Sequence, residues 1–313
     1  MKEEDIRPKE LMINQKEVNA QDIDYLAKRK KDFIEVNCPA CGLKNYKIDL
    51  EKEGFTYSRC RECETLFMNP RATPEILFDF YKASKNYEYW NKYIFPASEN
   101  ARREKIFKPR VEKIIDICIK YGAKRNSIMD VGAGFGTFCE EIKKSGFFEK
   151  VIAIEPTPDL AETCRKRNIE TIEKEIENVK MNEKVDVITN FEVIEHLFSP
   201  KEFLIGCRNQ LSDNGLIVIT CPNINGFDVS TLMGLSNTID HEHVNYFNPE
   251  SLSMLLSSCG FEIIEVLTPG KLDAELVRKR ILDNEFDVSN QPFLRRVLIE
   301  EWNNLGEKFQ KFL

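Results

Sequence analysis

The sequence predicts an α/β protein: a doubly wound, Rossmann-like parallel sheet with a small cysteine-held module and a helical lid before it. Three observations predict it. Strand-length apolar runs, among them SIMDV, VIAIE, VDVIT and LIVIT, alternate with helix-length amphipathic segments and short turns between about residues 123 and 270. One strand-to-helix junction, SIMDVGAGFGTFCEEIKK, carries glycines at 132, 134 and 136. Upstream, two C-x-x-C pairs, Cys38 with Cys41 and Cys60 with Cys63, are separated by residues 42–59.

The composition of the 313 residues, 42% hydrophobic and 31% charged, is that of a chain able to bury a sizeable core as one large or two modest domains. No apolar run is long enough for a membrane span. Residues 1–32 read as a charged N-terminal extension, partly disordered, without the apolar core of a signal peptide, so the expected location is cytoplasmic. The net charge of -7 gives no general attraction for nucleic acid or anionic lipid. The basic clusters KRKK and RKR are short enough to be solvated faces.

Residues 33–70 form the cysteine module. Each C-x-x-C loop supplies two thiolates to one tetrahedral ion, the spacing of a four-cysteine zinc ribbon with a hairpin between the pairs. A thioredoxin-like centre needs one pair in a βαβ setting instead. Four thiolates close the coordination shell, so the Zn2+ is expected to be structural. The remaining cysteines fall in apolar or helical patterns and read as core thiols.

Residues 71–122 are expected to be a helical lid or linker. Its first part is rich in aromatic residues, of which Tyr81 and Tyr87 are candidates to line a substrate pocket. A long amphipathic helix follows from about residue 100, which Pro109 is expected to kink or divide.

The glycine junction opens residues 123–270, the cofactor domain. The P-loop pattern G-x-x-x-x-G-K-[ST] is absent, and a dinucleotide fingerprint starting at Gly132 would need Gly or Ala where Thr137 stands. Together, D-x-G-x-G-x-G at 130–136, an acid at Glu155 ending the next strand, and NFEVIEHL at 190–197 resemble the class I S-adenosyl-L-methionine-dependent methyltransferases. That resemblance implies cofactor contacts at Asp130, Gly132, Ala133, Gly134, Gly136, Glu155, Asn190 and Glu192.

With the cysteine module, the chain is similar to the zinc-containing sugar methyltransferases, whose C-methylating members carry HEHxxYF after the fifth strand. HEHVNYF stands here at 241–247. The resemblance implies Glu242 and His243 as the catalytic pair, with His196 facing them, and His241 and Tyr246 near the acceptor. Histidine titrates closest to neutral pH, which suits a base for a sugar hydroxyl or carbon acid. A zinc-ribbon methyltransferase acting on RNA is the alternative, and a non-catalytic cofactor-binding scaffold is a third reading. The expected partner is a small sugar or nucleotide sugar, with no nucleic acid.

The chain departs from the C-methyltransferases after the expected strand FEIIEVLTP at 261–269, since only the helical tail 271–313 follows. No final antiparallel strand is found. Either the chain is truncated, or the sheet edge is completed differently, as by a partner subunit in a homo-oligomer, and O-methylation becomes at least as plausible as C-methylation.

Overall fold

The computed structural model describes residues 3–313. Its strands are β1 (Tyr46–Lys52), β2 (Phe55–Cys60), β3 (Leu66–Met68), β4 (Ser127–Val131), β5 (Lys150–Ile154), β6 (Glu170–Ile172), β7 (Val185–Phe191), β8 (Leu211–Thr220) and β9 (Asn245–Tyr246). The chain forms two compact units: Met1–Ser98 with Pro222–Leu255 and Ile263–Leu313, and Glu99–Cys221 with Leu256–Glu262.

The second unit is the expected parallel sheet, in the order β6-β5-β4-β7-β8. β4 and β7 are buried almost throughout, as strands covered on both faces must be. Ile128, Val187, Phe138, Ile142 and Cys164 form its core with Val111 and Ile114 of the helix Lys108–Lys120. The strand order reverses between β4 and β7, and the loops after those strands carry the sequence motifs. Ligands of open α/β sheets bind at such a reversal.

The first unit holds the antiparallel sheet β1-β2-β3-β9. Phe55, Tyr57, Leu66, Met68, Phe80 and Tyr246 build its core. The helices of the C-terminal tail make a separate apolar cluster around Leu232, Ala274, Val277 and Leu298.

Two local expectations change. Residues 261–269 make no strand; Ile264, Val266 and Leu267 are 53%, 50% and 55% exposed. An apolar run becomes a strand only where a neighbour offers a hydrogen-bond ladder, and no other strand borders β8 on its outer side among the described residues. The region expected to be partly disordered contains the helix Lys9–Ala27, because Leu26 enters the β-sheet core and Asp22 is buried in hydrogen bonds. Those contacts are tertiary and leave little periodicity to read. Near Pro109 the helix is divided, one of the two expected outcomes: a π turn at Arg103–Phe107 precedes Lys108–Lys120, in which the proline takes an early position. A wide turn there accommodates the N–H that proline lacks.

Candidate functional site

In the cysteine cluster of the first unit, the hairpin β1–β2 separates the two pairs, as the spacing requires. The four Sγ atoms lie within 4.8 Å of one another. Sγ of Cys38 is 3.5 Å from that of Cys63, and Sγ of Cys41 is 3.5 Å from that of Cys60. The two loops are alike, each C-x-x-C being followed by a left-handed residue, Gly42 at φ +77 and Glu64 at φ +58. Four convergent sulfurs with no other donor type fit one closed tetrahedral zinc ion.

In the second unit, the cofactor motif turns on backbone bonds. The N–H groups of Gly132 and Ala133 donate to the carbonyl of Ile154 at 2.9 and 3.1 Å, pinning the turn to the end of β5. Gly132, Gly134 and Gly136 all have positive φ, at +79, +54 and +68. An added Cβ would strike Val193 at Gly132 (2.5 Å) and Cys164 at Gly136 (2.8 Å), whereas at Gly134 it would meet nothing within 4 Å. Two of the glycines are therefore needed for packing, and Gly134 leaves open backbone that a ligand can approach.

Acidic groups converge on this turn. Asp130, at the end of β4, accepts from Oγ1 of Thr189 at 2.7 Å and is 4% exposed. Burial pushes its carboxyl up to about 7 against the smaller opposing pull of Thr189 and Arg110. Glu155, after β5, accepts from the N–H of Gly134 at 2.7 Å and of Thr157 at 2.9 Å. Burial raises it too, although these donors oppose the shift. Asn190 donates to the carbonyl of Val131 at 2.7 Å, which leaves its buried Oδ1 without a hydrogen-bond partner. Glu192 has φ +57 and accepts from Oγ1 of Thr220 at 2.5 Å. His196 belongs to the same unit, half-buried in the 3-10 turn Ile194–His196.

Sequence reasoning missed Arg110. Its guanidinium lies 4.7 Å from the Phe191 ring centroid and 3.6 Å from Oε1 of Glu192. No motif marks it, because it arrives from a helix preceding the first strand of the sheet.

The HEHVNYF segment belongs to the first unit. The N–H of His243 donates to Oδ1 of Asp240, and Nδ1 donates to the carbonyl of Thr238, each at 2.9 Å. Oδ2 of Asp240 is 3.2 Å from the same Nδ1. A carbonyl can only accept, so the neutral ring carries its proton on Nδ1 and its lone pair on Nε2. Burial opposes the charge on Asp240, but His243, His241 and the backbone N–H of His243 hold its carboxyl well below the usual range.

Glu242 accepts from Nδ2 of Asn86 at 2.5 Å. Its carboxyl is raised by burial and then by repulsion from Asp240. His241 is 1% exposed and makes a 2.9 Å contact from Nδ1 to Oε2 of Glu53. Burial works against its cation, yet the Glu53 hydrogen bond and the charges of Glu242, Asp240 and Glu53 together raise it. Tyr246 is fully buried, its hydroxyl accepting from the N–H of Asp240 and donating to the same residue's carbonyl. Tyr81 and Tyr87 stand edge to face at 6.0 Å, and Phe80 beside them packs at 6.0 Å from the His241 ring. The fold thus brings His241, Glu242, Tyr81 and Tyr87 into one neighbourhood, while Tyr246 is spent on the loop that carries them. Asp240, Asp22, Glu53 and Asn86 were not legible as site residues, because carboxylates and amides this common form a cluster only after folding.

The family model described as a methyltransferase domain matches residues 100–266, just over half of the 313 residues. Among curated proteins, a ubiquinone biosynthesis O-methyltransferase of Rickettsia canadensis is 27% identical over 150 residues, 44% of this chain and 64% of the relative. The C-methyltransferase NovU of Streptomyces niveus is 23% identical over 224 residues, 67% of this chain and 47% of that protein. Among solved structures, an S-adenosylmethionine-dependent methyltransferase from Clostridium acetobutylicum aligns with a TM-score of 0.46 at 14% identity, covering 56% of this chain and 89% of that one. The matched segments therefore span under two thirds of the length of each of these two curated relatives.

Proposed function

The chain belongs to the family of S-adenosylmethionine-dependent methyltransferases, and on that footing we propose that it methylates a hydroxyl or carbon acid of a small, sugar-type acceptor. The observation that carries the proposal is the turn after β4, where Gly134 is sterically open and the buried Oδ1 of Asn190 lacks a partner. Bound S-adenosylmethionine supplies an electrophilic sulfonium methyl. Asp130 and Asn190 offer anionic and carbonyl oxygens to its ammonium, and Arg110 offers a cation to its carboxylate. Glu155 would accept from the ribose hydroxyls.

His243 is the proposed base. Its lone pair on Nε2 would take the proton of the acceptor's O–H or C–H, readying that atom for the electrophilic methyl group that bound S-adenosylmethionine would supply. Asp240 and Thr238 fix the tautomer and aim of the ring. The sugar-type acceptor is supported by HEHVNYF and by the polar, aromatic surroundings of Tyr81 and Tyr87. Transfer to oxygen and transfer to carbon both occur among the relatives' names, and the acceptor chemistry chooses between them. The four cysteines are proposed to hold a structural Zn2+.

The test is incubation with S-adenosylmethionine and a panel of nucleotide sugars, followed by mass spectrometry. A gain of one methylene on a sugar supports the proposal. Methylation of RNA alone, or of no sugar in the presence of bound cofactor, removes the acceptor class.

A further inference from the structure

The geometry points to a second metal site in the first unit, formed by Asp22, His241 and Glu242 and taking one divalent first-row transition ion. One ligand atom from each of the three lies within 4.8 Å of the others. Asp22 is 2% exposed, and the side chains of His241 and Glu242 are 1% and 16% exposed. Nε2 of His241 is buried without a hydrogen-bond partner and stands 4.0 Å from Oε1 of Glu242, too far to bond it and close enough for both to reach one ion. A buried imidazole nitrogen facing one buried and one part-buried carboxylate costs free energy unless something lies between them.

Each ligand also has the outer support that metal ligands carry. Nδ1 of His241 is held at 2.9 Å by the carboxylate of Glu53, which directs the Nε2 lone pair at the site. Asp22 accepts from the N–H groups of Lys85 (2.8 Å) and Asn86 (3.0 Å) and from Oγ of Ser84 (2.5 Å). Glu242 is held by Asn86, whose own Oδ1 accepts from Gln15 at 2.8 Å, fixing which way the amide points. Phe80 closes the His241 side with an apolar ring edge. One imidazole and two carboxylates suit Mn2+ or Zn2+, unlike the all-sulfur set of the four cysteines. The site gives Glu242 a metal-binding role in place of the catalytic one that the family resemblance implies.

The full chain, isolated with its four-cysteine zinc, is titrated with Mn2+ while free ion is followed by electron paramagnetic resonance; total metal is counted separately by mass spectrometry after saturation with Zn2+. One Mn2+ bound per chain, displaced by Zn2+, and two zinc equivalents after saturation are expected. His241→Ala should weaken Mn2+ binding at least tenfold and leave the four-cysteine zinc in place, and Glu242→Gln should do the same should the alanine variant fail to fold. Wild-type protein that takes neither Mn2+ nor a second zinc overturns the site. So does unaltered Mn2+ binding by a folded variant, which would show that the ion sits elsewhere, with His241 serving as a buried cation between carboxylates.

Discussion

Asp240 grips His243 at two points: its Oδ1 accepts from the histidine's backbone N–H at 2.9 Å, and its Oδ2 lies 3.2 Å from Nδ1 of the ring. One carboxylate thereby sets both the loop and the direction of the imidazole it carries. If His243 is the base, His243→Ala should lower kcat by about 10²- to 10⁴-fold. Asp240→Asn should lower it by a smaller factor, on the order of 10- to 100-fold, with KM for S-adenosylmethionine unchanged in both. Full turnover by His243→Ala on the identified acceptor would dismiss the assignment.

Cofactor affinity should depend on pH through Asp130. In the free protein, burial lifts this carboxyl to about 7, whereas a bound ammonium requires it ionised. Below that pH, binding must release a proton, so affinity should fall as the solution is acidified and level off above neutrality. Calorimetry in buffers of different ionisation enthalpy reports the proton directly. Asp130→Asn should bind more weakly and lose the slope; a wild-type affinity that stays flat from pH 5 to 8, on the order of three units spanning the shift, would contradict the role.

The glycines of the turn should separate by phenotype. Gly136→Ala puts a Cβ 2.8 Å from Sγ of Cys164, and Gly132→Ala puts one 2.5 Å from Val193, each at positive φ. Both should lower Tm, by strain of about 1–3 kcal/mol on top of the left-handed cost. Gly134→Ala carries only the conformational cost of about 1 kcal/mol, because space around it is open. Its Tm should fall least while its affinity for S-adenosylmethionine falls most, as thermal melts with and without cofactor would reveal. Equal losses of Tm in all three would mean that Gly134 serves packing as well.

Cys60→Ser removes one of four convergent sulfurs and an end of β2 that is fully buried. Zinc content should drop by one equivalent and the yield of folded protein should fall, since a structural zinc contributes to folding itself. Unchanged zinc and stability would count against a structural ion.

The sequence by itself determined the parallel sheet, the glycine turn with its acids and the cysteine module, because each depends on local period or fixed spacing. Strands buried on both faces must be apolar runs, a backbone turn at positive φ selects glycine, and two C-x-x-C loops bring four sulfurs to one point whatever lies beyond. Only the tertiary structure decided that FEIIEVLTP forms no strand, because a strand exists through its neighbour. It likewise decided that Lys9–Ala27 is an ordered helix, held by Asp22 and Leu26 rather than by an apolar stripe. Within HEHVNYF, sequence offered two histidines and a glutamate as near equals. Folding separated them: Asp240 and Thr238 fix the ring of His243, while Glu53 and Asn86 turn His241 and Glu242 toward Asp22. Those partners come from positions as far as 188 residues away, and no spacing rule links them, since long-range contact is chosen by packing and charge rather than by sequence neighbourhood.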